Sequence, residues 1–299
     1  MKQHHQTIGW AKLCRLFGKS RQAYYDHLWR HSDENMQEVL IIELVRARRV
    51  CLPRVGGNKL LGMLKEEFNS HHIVIGRDRF FRLLSEHDLL IKPKKKYVRT
   101  TCSWHHYKKW PNLIENLQLN APEQLWVSDI TYLRTDNGFI YLALITDAYS
   151  RKIVGYHLSQ HLRAQGCITA LNKALSSLRI RSSTSLIHHS DRGIQYCCDA
   201  YVDILLNNNI QISMTQSGSP YDNAIAERVN GILKAELGLD TTFGSYRDAI
   251  PATHHAIDVY NRLRPHMSCG NLTPDQAHQR SGQLTRLWKP KKRTPVKLV

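Results

Sequence analysis

The sequence predicts an α/β fold, a mixed five-stranded sheet flanked by helices, preceded by an all-helical module. Three observations carry this expectation. Up to about residue 91 apolar residues recur at helical spacing, whereas from about residue 122 short β-branched and aromatic runs alternate with helical ones. The tetrad Thr135-Asp136-Asn137-Gly138 sits between two such runs and is a hairpin signal. After the third strand-like run the order becomes helix, strand, helix, strand, helix.

Residues 1–34 form the first expected segment. Leu13 to Tyr25 has the outline of a helix-turn-helix, with Gly18 at the turn and Ser20 capping the second helix. Residues 35–91 form a helical DNA-binding module in three pieces. Asn35 to Arg49 carries Val39, Ile42 and Val45; Gly57 to Phe68 carries Leu60, Leu61, Leu64 and Phe68; Arg77 to Leu90 carries Phe80, Phe81, Leu84 and Leu89. Arg77, Arg79 and Arg82 put three cations on the third piece and make it the candidate DNA contact. Residues 92–121 read as a basic linker in which Lys94, Lys95 and Lys96 suit phosphate tracking. Trp104, Tyr107 and Trp110 within it suit stacking on unpaired bases or packing on the next domain.

The core spans residues 122–279 with a basic tail at 280–299. Leu125 to Leu133 is the first strand, Phe139 to Thr146 the second and Ile153 to Leu158 the third. Ile168, Leu171, Leu175 and Leu178 mark a helix, Ser185 to His188 the fourth strand, Asp199 to Leu206 a helix, and Ile210, Ile212 and Met214 the fifth strand. A helix then begins at Ser219-Pro220-Tyr221-Asp222, with Ile225, Val229 and Ile232 facing the core. Three antiparallel strands followed by α-β-α-β-α is the order of a ribonuclease-H-like fold. Thr273 and Pro274 start a short helix further on.

Asp129, Asp191 and Glu227 are the candidate catalytic and metal-binding residues. Asp129 lies inside a strand, where a charge is costly unless a cation neutralises it. Asp191 follows the fourth strand and precedes Arg192-Gly193; 35 residues separate it from Glu227, which is helical. Carboxylates on two strands and a helix can converge on divalent ions that split or join phosphodiesters. Asn230 and Lys234 share the Glu227 side of the helix, where contact with a DNA end is expected. Asp147, a fourth acid near a strand end, reads as a turn cap over the alternative of a metal ligand, and His189 as either a phosphate or carboxylate contact or an ordinary hydrogen-bonded histidine.

The composition agrees with a nucleic-acid partner. The 299 residues carry 42 Lys and Arg against 25 Asp and Glu, a net charge of +17 that calls for a polyanionic partner. No apolar run approaches the length of a membrane span, and Met1-Lys2-Gln3-His4-His5 leads into no secretory segment, so a cytoplasmic protein with no membrane role is expected. Seven scattered cysteines read as reduced thiols. Cys102 with His105 and His106 is the nearest zinc candidate, and it has no C-x-x-C partner.

The segments Leu125 to Tyr132, Leu144 to Gly155, His189-Ser190-Asp191-Arg192-Gly193, Ser217 to Ala224 and Tyr260 to His266 resemble the integrase-core transposases of bacterial insertion sequences. The resemblance is to the insertion-sequence-three family, specifically its second-frame product, and covers nearly the whole chain. It implies that Asp129, Asp191 and Glu227 are the family's metal-binding acids, in the spacing that retroviral integrases share, with Mg²⁺ as the ion and Mn²⁺ as its substitute. It also implies that the partner is double-stranded DNA, the element's terminal inverted repeats and target DNA, cleaved and joined through a circular intermediate by a homo-oligomer assembled on DNA in the bacterial nucleoid. Family members often act as fusions to an upstream helix-turn-helix and coiled coil; no sustained heptad precedes residue 35 here. Two other classes compete: an inactive DNA-binding regulator of transposition, and a nuclease without joining activity. The complete set of acids favours the transposase.

Overall fold

The computed structural model describes residues 10–91 apart from Phe17, residues 107–178 apart from Asn116, residues 186–216 and residues 223–287. Lys94, Lys95, Lys96, Cys102, Trp104, His105, His106, the expected helix start at 219–222 and the basic run 289–293 lie outside the described residues. The chain divides into two compact units, one of residues up to Cys51 with Gly56–Ile91, the other of Leu52–Val55 with residues from Lys92 onward.

In the first unit α1 (Trp10–Leu16) turns at Gly18, in the left-handed region at φ 64°, into α2 (Arg21–Cys51). Ser20 caps α2 as expected, its hydroxyl accepting from the Ala23 N–H at 3.0 Å. Helix α2 nevertheless runs unbroken through the expected boundary at residues 34 and 35. Its 31 residues contain no glycine or proline, and it stops just before Pro53. The second expected piece splits at Leu64 into α3 (Gly57–Met63) and α4 (Lys65–Ser70), and α5 (Arg77–Glu86) ends a turn early. Ile41, Ile42, Val45, Leu60, Leu64, Phe68, Phe80, Leu83 and Leu84 are buried. Val39, expected in the stripe, is 60% exposed, because the buried face of α2 centres on Ile41, Ile42 and Val45.

The second unit holds the sheet. Strands β1 (Leu125–Thr135), β2 (Gly138–Asp147) and β3 (Ile153–Ser159) are antiparallel neighbours, joined at the expected Asp136-Asn137 hairpin. Helix α6 (Ala164–Ser177) leads to β4 (Ile187–Ser190), α7 (Ile194–Cys197), α8 (Asp199–Asn207) and β5 (Gln211–Met214), and β4 and β5 join β1 in parallel. Helix α9 (Ala224–Ala235) follows, then β6 (Thr242–Phe243), α10 (Tyr246–Arg262) and α11 (Pro274–Ala277). The strand order β3-β2-β1-β4-β5 is that of a ribonuclease-H-like sheet. Three additions were not legible in the sequence: the one-turn α7, β6, a two-residue strand paired to Arg134 and Thr135, and α10, whose pattern Pro251, His254 and His255 interrupt.

One face of the sheet packs Trp126, Ala143 and Ile145 against Ala170, Leu171 and Ala174 of α6 and Tyr201 and Leu205 of α8. The other packs Leu133, Leu142 and Leu144 against Val229, Ile232 and Leu233 of α9 and Ile257 and Tyr260 of α10. The expected linker ends earlier than residue 121: Tyr107 and Trp110 pack on the first of these clusters, and the Met214 N–H donates to the Pro111 carbonyl at 3.2 Å. The start of the expected tail is likewise tied down, with the Tyr149 hydroxyl donating to the Gly282 carbonyl at 2.8 Å. Thr273 caps α11 in a capping box with Gln276, as the sequence indicated.

Gly155 in β3 is where α6 comes closest to the sheet, and a Cβ there would stand 2.8 Å from the Ala174 Cβ and 2.9 Å from its backbone nitrogen. Gly155→Ala is expected to cost about 1–3 kcal/mol through overpacking. Chemical denaturation of the two proteins measures this; equal midpoints would show that α6 does not sit so close.

Candidate active site

Strand register brings the two aspartates together. In the parallel β1–β4 pair Leu125 stands opposite Ile187, Trp126 opposite His188 and Val127 opposite His189. Two steps further along both strands are Asp129 and Asp191, side by side at the point where β4 ends. Side chains two apart share a face of a strand, so both carboxyls emerge on one side.

Their local partners differ. One oxygen of Asp129 accepts the Ile130 N–H at 2.9 Å and the other the Asn230 Nδ2–H at 2.7 Å. Asp191 accepts the Gly193 N–H at 3.0 Å. A Cβ on Gly193 would stand 3.0 Å from the same Asp191 oxygen, so this cradle admits only glycine without a shift. Burial first and the Asp191 charge second push the Asp129 carboxyl up to about 7, against the pull of the Asn230 and Ile130 hydrogen bonds. Burial also raises Asp191. Two like charges in a desolvated place favour a bound cation.

Helix α9 is fastened over this pair by two asparagines. Asn223, its N-cap residue, donates from Nδ2 to the Ser128 carbonyl at 3.1 Å, and Asn230 holds Asp129. They lie four residues before and three after Glu227, on one helical side. Both amide oxygens, Asn223 Oδ1 and Asn230 Oδ1, are buried without a hydrogen-bond partner. Glu227 itself is exposed in the first turn of α9. Its charge is the smallest of the contributions felt at Asp129. Among the described residues no three His, Cys, Asp or Glu side chains stand close enough together to hold one ion. The structure thus brings Asp129 and Asp191 together and leaves Glu227 at the rim.

The other expected contacts distribute unevenly. Lys234 is half-buried beside Asp240, Asp129 and Arg134, and burial lowers its pKa. Arg82 is exposed, and Arg77 is exposed beside Asp78 and 5.9 Å from the Phe81 ring centre. Arg79 is engaged by Glu38 at 3.3 Å, which leaves it less able to reach phosphate. Asp147 caps its turn as expected, accepting from the Ser150 N–H and hydroxyl at 2.8 and 2.7 Å. His189 is buried with Nδ1 2.8 Å from the Ser213 hydroxyl, the ordinary histidine of the two readings.

Two elements of the site escaped sequence reading. Asn223 was detectable only as a polar residue one turn before Glu227. The bed under Asp129 was not detectable: His188 Nε2 lies 2.7 Å from the Ser128 hydroxyl and 2.9 Å from that of Tyr201, three residues far apart in sequence. Burial pushes His188 down to about 3, so it stays neutral through the physiological range and adds no charge beneath the acids.

The integrase core domain family matches residues 120–220, and a second integrase core domain family matches residues 208–274. A relative in Shigella sonnei, the insertion element IS600 uncharacterized 31 kDa protein, is 35% identical over 280 residues, 91% of this chain and 99% of that protein. The transposase InsF for insertion sequence IS3A of Escherichia coli (strain K12) is 30% identical over 290 residues, 92% of this chain and 96% of that one. Among solved structures, the HTLV-2 integrase catalytic core domain in complex with magnesium (dimeric form) is 19% identical with a TM-score of 0.41, covering 53% of this chain and 98% of that one. The simian T-cell lymphotropic virus intasome with PP2A regulatory subunit B56 gamma is 18% identical with a TM-score of 0.46, covering 86% and 80%.

The Asp129 shift has a pH signature. Its folded pKa, about 7, lies above the ordinary carboxylate value, so the stability it contributes is full below about pH 4 and is lost as pH rises through about 7. Asp129→Asn in metal-free protein is therefore expected to raise Tm by about 2–4 °C near pH 8 and to change it little near pH 4. Calorimetry across that range checks it; a pH-independent difference would refute the coupled pair.

Proposed function

Since the chain belongs to the insertion-sequence-three family of integrase-core transposases, we propose that it cleaves the terminal inverted repeats of its own element and joins them to other double-stranded DNA, with Asp129, Asp191 and Glu227 as the catalytic carboxylates. The observation that carries the residue assignment is the pairing of Asp129, inside β1, with Asp191, just past the end of β4, beneath the helix that bears Glu227.

The donor set fits a hard divalent ion. Carboxylate oxygens on Asp129 and Asp191, the carboxylate of Glu227 and the unpartnered amide oxygen of Asn230 are the ligand type that Mg²⁺ prefers, with Mn²⁺ able to replace it. Bound there, a pair of such ions supplies polarisation of the attacking oxygen and stabilisation of the leaving one in an in-line displacement. The protein's own residues do the rest. Asn223 and Asn230 hold the helix that carries Glu227 against β1. The Gly193 N–H orients one oxygen of Asp191, and the Ile130 N–H and the Asn230 amide each hold one oxygen of Asp129. Lys234, next along the same helical side, meets a phosphate of the DNA end.

The chemistry is one displacement used twice. Water attacks a phosphodiester phosphorus, the P–O3′ bond breaks, and the strand ends in a 3′-hydroxyl. That hydroxyl then attacks a second phosphodiester, so one P–O bond forms as another breaks and no covalent link to the protein arises. The three basic residues Arg77, Arg79 and Arg82 of α5 and the lysines Lys94, Lys95 and Lys96 supply sequence-independent phosphate contacts, with Arg79 the weakest of them because of Glu38. A homo-oligomer brings two ends together. No helix among the described residues is long and apolar enough to cross a membrane.

The test uses labelled duplexes ending in the element's inverted repeats, incubated with Mg²⁺. Wild-type protein is expected to yield strand-transfer products. Asp129→Asn, Asp191→Asn and Glu227→Gln are each expected to lose joining by at least about a hundredfold while retaining DNA binding. Joining by Glu227→Gln at the wild-type rate would remove Glu227 from the site. Shifted but intact DNA with wild-type protein would identify a regulator, and cuts without joining a nuclease.

A further inference from the structure

The two aspartates stand where the backbone no longer pairs their strands. Pairing of β1 with β4 stops at Val127 opposite His189, and Asp129 and Asp191 follow two residues later on each strand. Strand β4 itself has only four residues. A ladder that ends short of the carboxyls leaves their lateral spacing to side chains.

Consecutive histidines of β4 supply the lateral ties, one on each face of the sheet. On the face packed by α6 and α8, His188 Nε2 lies 2.7 Å from the Ser128 hydroxyl, across from β4 to β1, and 2.9 Å from the Tyr201 hydroxyl of α8. On the face that carries the aspartates, His189 Nδ1 lies 2.8 Å from the hydroxyl of Ser213, its register partner on β5. Ser213 is held in turn by the Leu113 N–H, which donates to its hydroxyl at 2.9 Å. Ser128 immediately precedes Asp129, and its carbonyl takes the Asn223 bond that seats α9. All four of His188, His189, Ser128 and Ser213 are buried, where a hydrogen bond is strong and an unmade one is costly. Apolar side chains at these positions would fill the core without desolvating a hydroxyl or an imidazole. What the polar ones add is direction, which apolar contact does not supply.

We propose that His188 with Ser128, and His189 with Ser213, are positioning residues that brace β4 against both neighbouring strands and so set the spacing of Asp129 and Asp191 for divalent ions. They act through the backbone that carries the carboxyls, not by contact with the ions. This rests on the carboxylate reading of the site and adds to it the side chains that fix its geometry beyond the end of the ladder.

The test measures Mn²⁺ binding to the full-length protein through the electron paramagnetic resonance of the free ion, together with thermal unfolding in a chelator. Ser128→Ala and Ser213→Ala each remove one hydroxyl and leave both imidazoles in place. Each is expected to bind Mn²⁺ roughly tenfold more weakly than wild type, the lower end of what loss of a supporting hydrogen bond costs a metal site. Ile210→Val thins the same core away from the carboxyls and is the control for lost packing; it is expected to lower the unfolding temperature and leave Mn²⁺ affinity unchanged. The two serine variants are independent, so failure of one to fold leaves the other to decide. Serine variants that lose thermal stability yet bind Mn²⁺ as wild type does would overturn the positioning role. Equal weakening by Ile210→Val would also overturn it, since lost packing alone then accounts for the effect. Wild-type protein that binds no Mn²⁺, or binds it no better than Asp129→Asn does, would overturn the carboxylate reading itself and the positioning role with it.

Discussion

Two carboxyls are held next to each other where water is scarce, and the rest of the core is arranged around that repulsion. Asp129 and Asp191 meet because β1 and β4 are parallel and in register, and their shared desolvation raises the proton affinity of Asp129 to about 7. A fold tolerates such an arrangement only where a proton or a cation relieves it. Among the described residues no cation is in hydrogen-bond contact with either aspartate. Lys234 acts on Asp129 through space, and the donors that touch the pair are neutral amides.

Everything else near the pair serves to keep it in place without neutralising it. His188 sits under Ser128 and is kept uncharged by burial, so the bed is polar enough to satisfy the hydroxyls of Ser128 and Tyr201 yet carries no charge. Above, Asn223 and Asn230 tie α9 to consecutive residues of β1, one through a backbone carbonyl and one through the Asp129 carboxylate. Tying a helix at two points one turn either side of Glu227 fixes the backbone and leaves the glutamate side chain free. Its exposure is what an unliganded third carboxylate should show, because nothing in the protein alone attracts it toward two other negative groups.

Much of this was legible in the sequence, for identifiable reasons. The three antiparallel strands announce themselves through the Asp136-Asn137-Gly138 turn and through alternation, and α6, α8 and α9 through the spacing of their apolar residues. The pairing of Asp129 with Asp191 followed from placing both at strand positions. What failed to show were features set by tertiary contact. The two-residue β6 exists only because β1 offers an open edge, and α10 forms despite Pro251 because Ala249, Ala256, Ile257 and Tyr260 bury against the sheet. The continuity of α2 was hidden by reading a capping signal at residue 20 and an apolar stripe from residue 35 as separate helices. The His188 bed joins residues 60 and 13 apart in sequence, beyond any local pattern.

The central claim is that Glu227 closes on the aspartate pair when ions and a DNA end are present. Anomalous scattering from crystals of the protein with Mn²⁺ and a duplex bearing the inverted repeat tests this most directly. The account predicts metal peaks between Asp129 and Asp191, with an oxygen of Glu227 in the coordination sphere. Peaks that leave Glu227 outside coordination, or no peak at the aspartates, would contradict it.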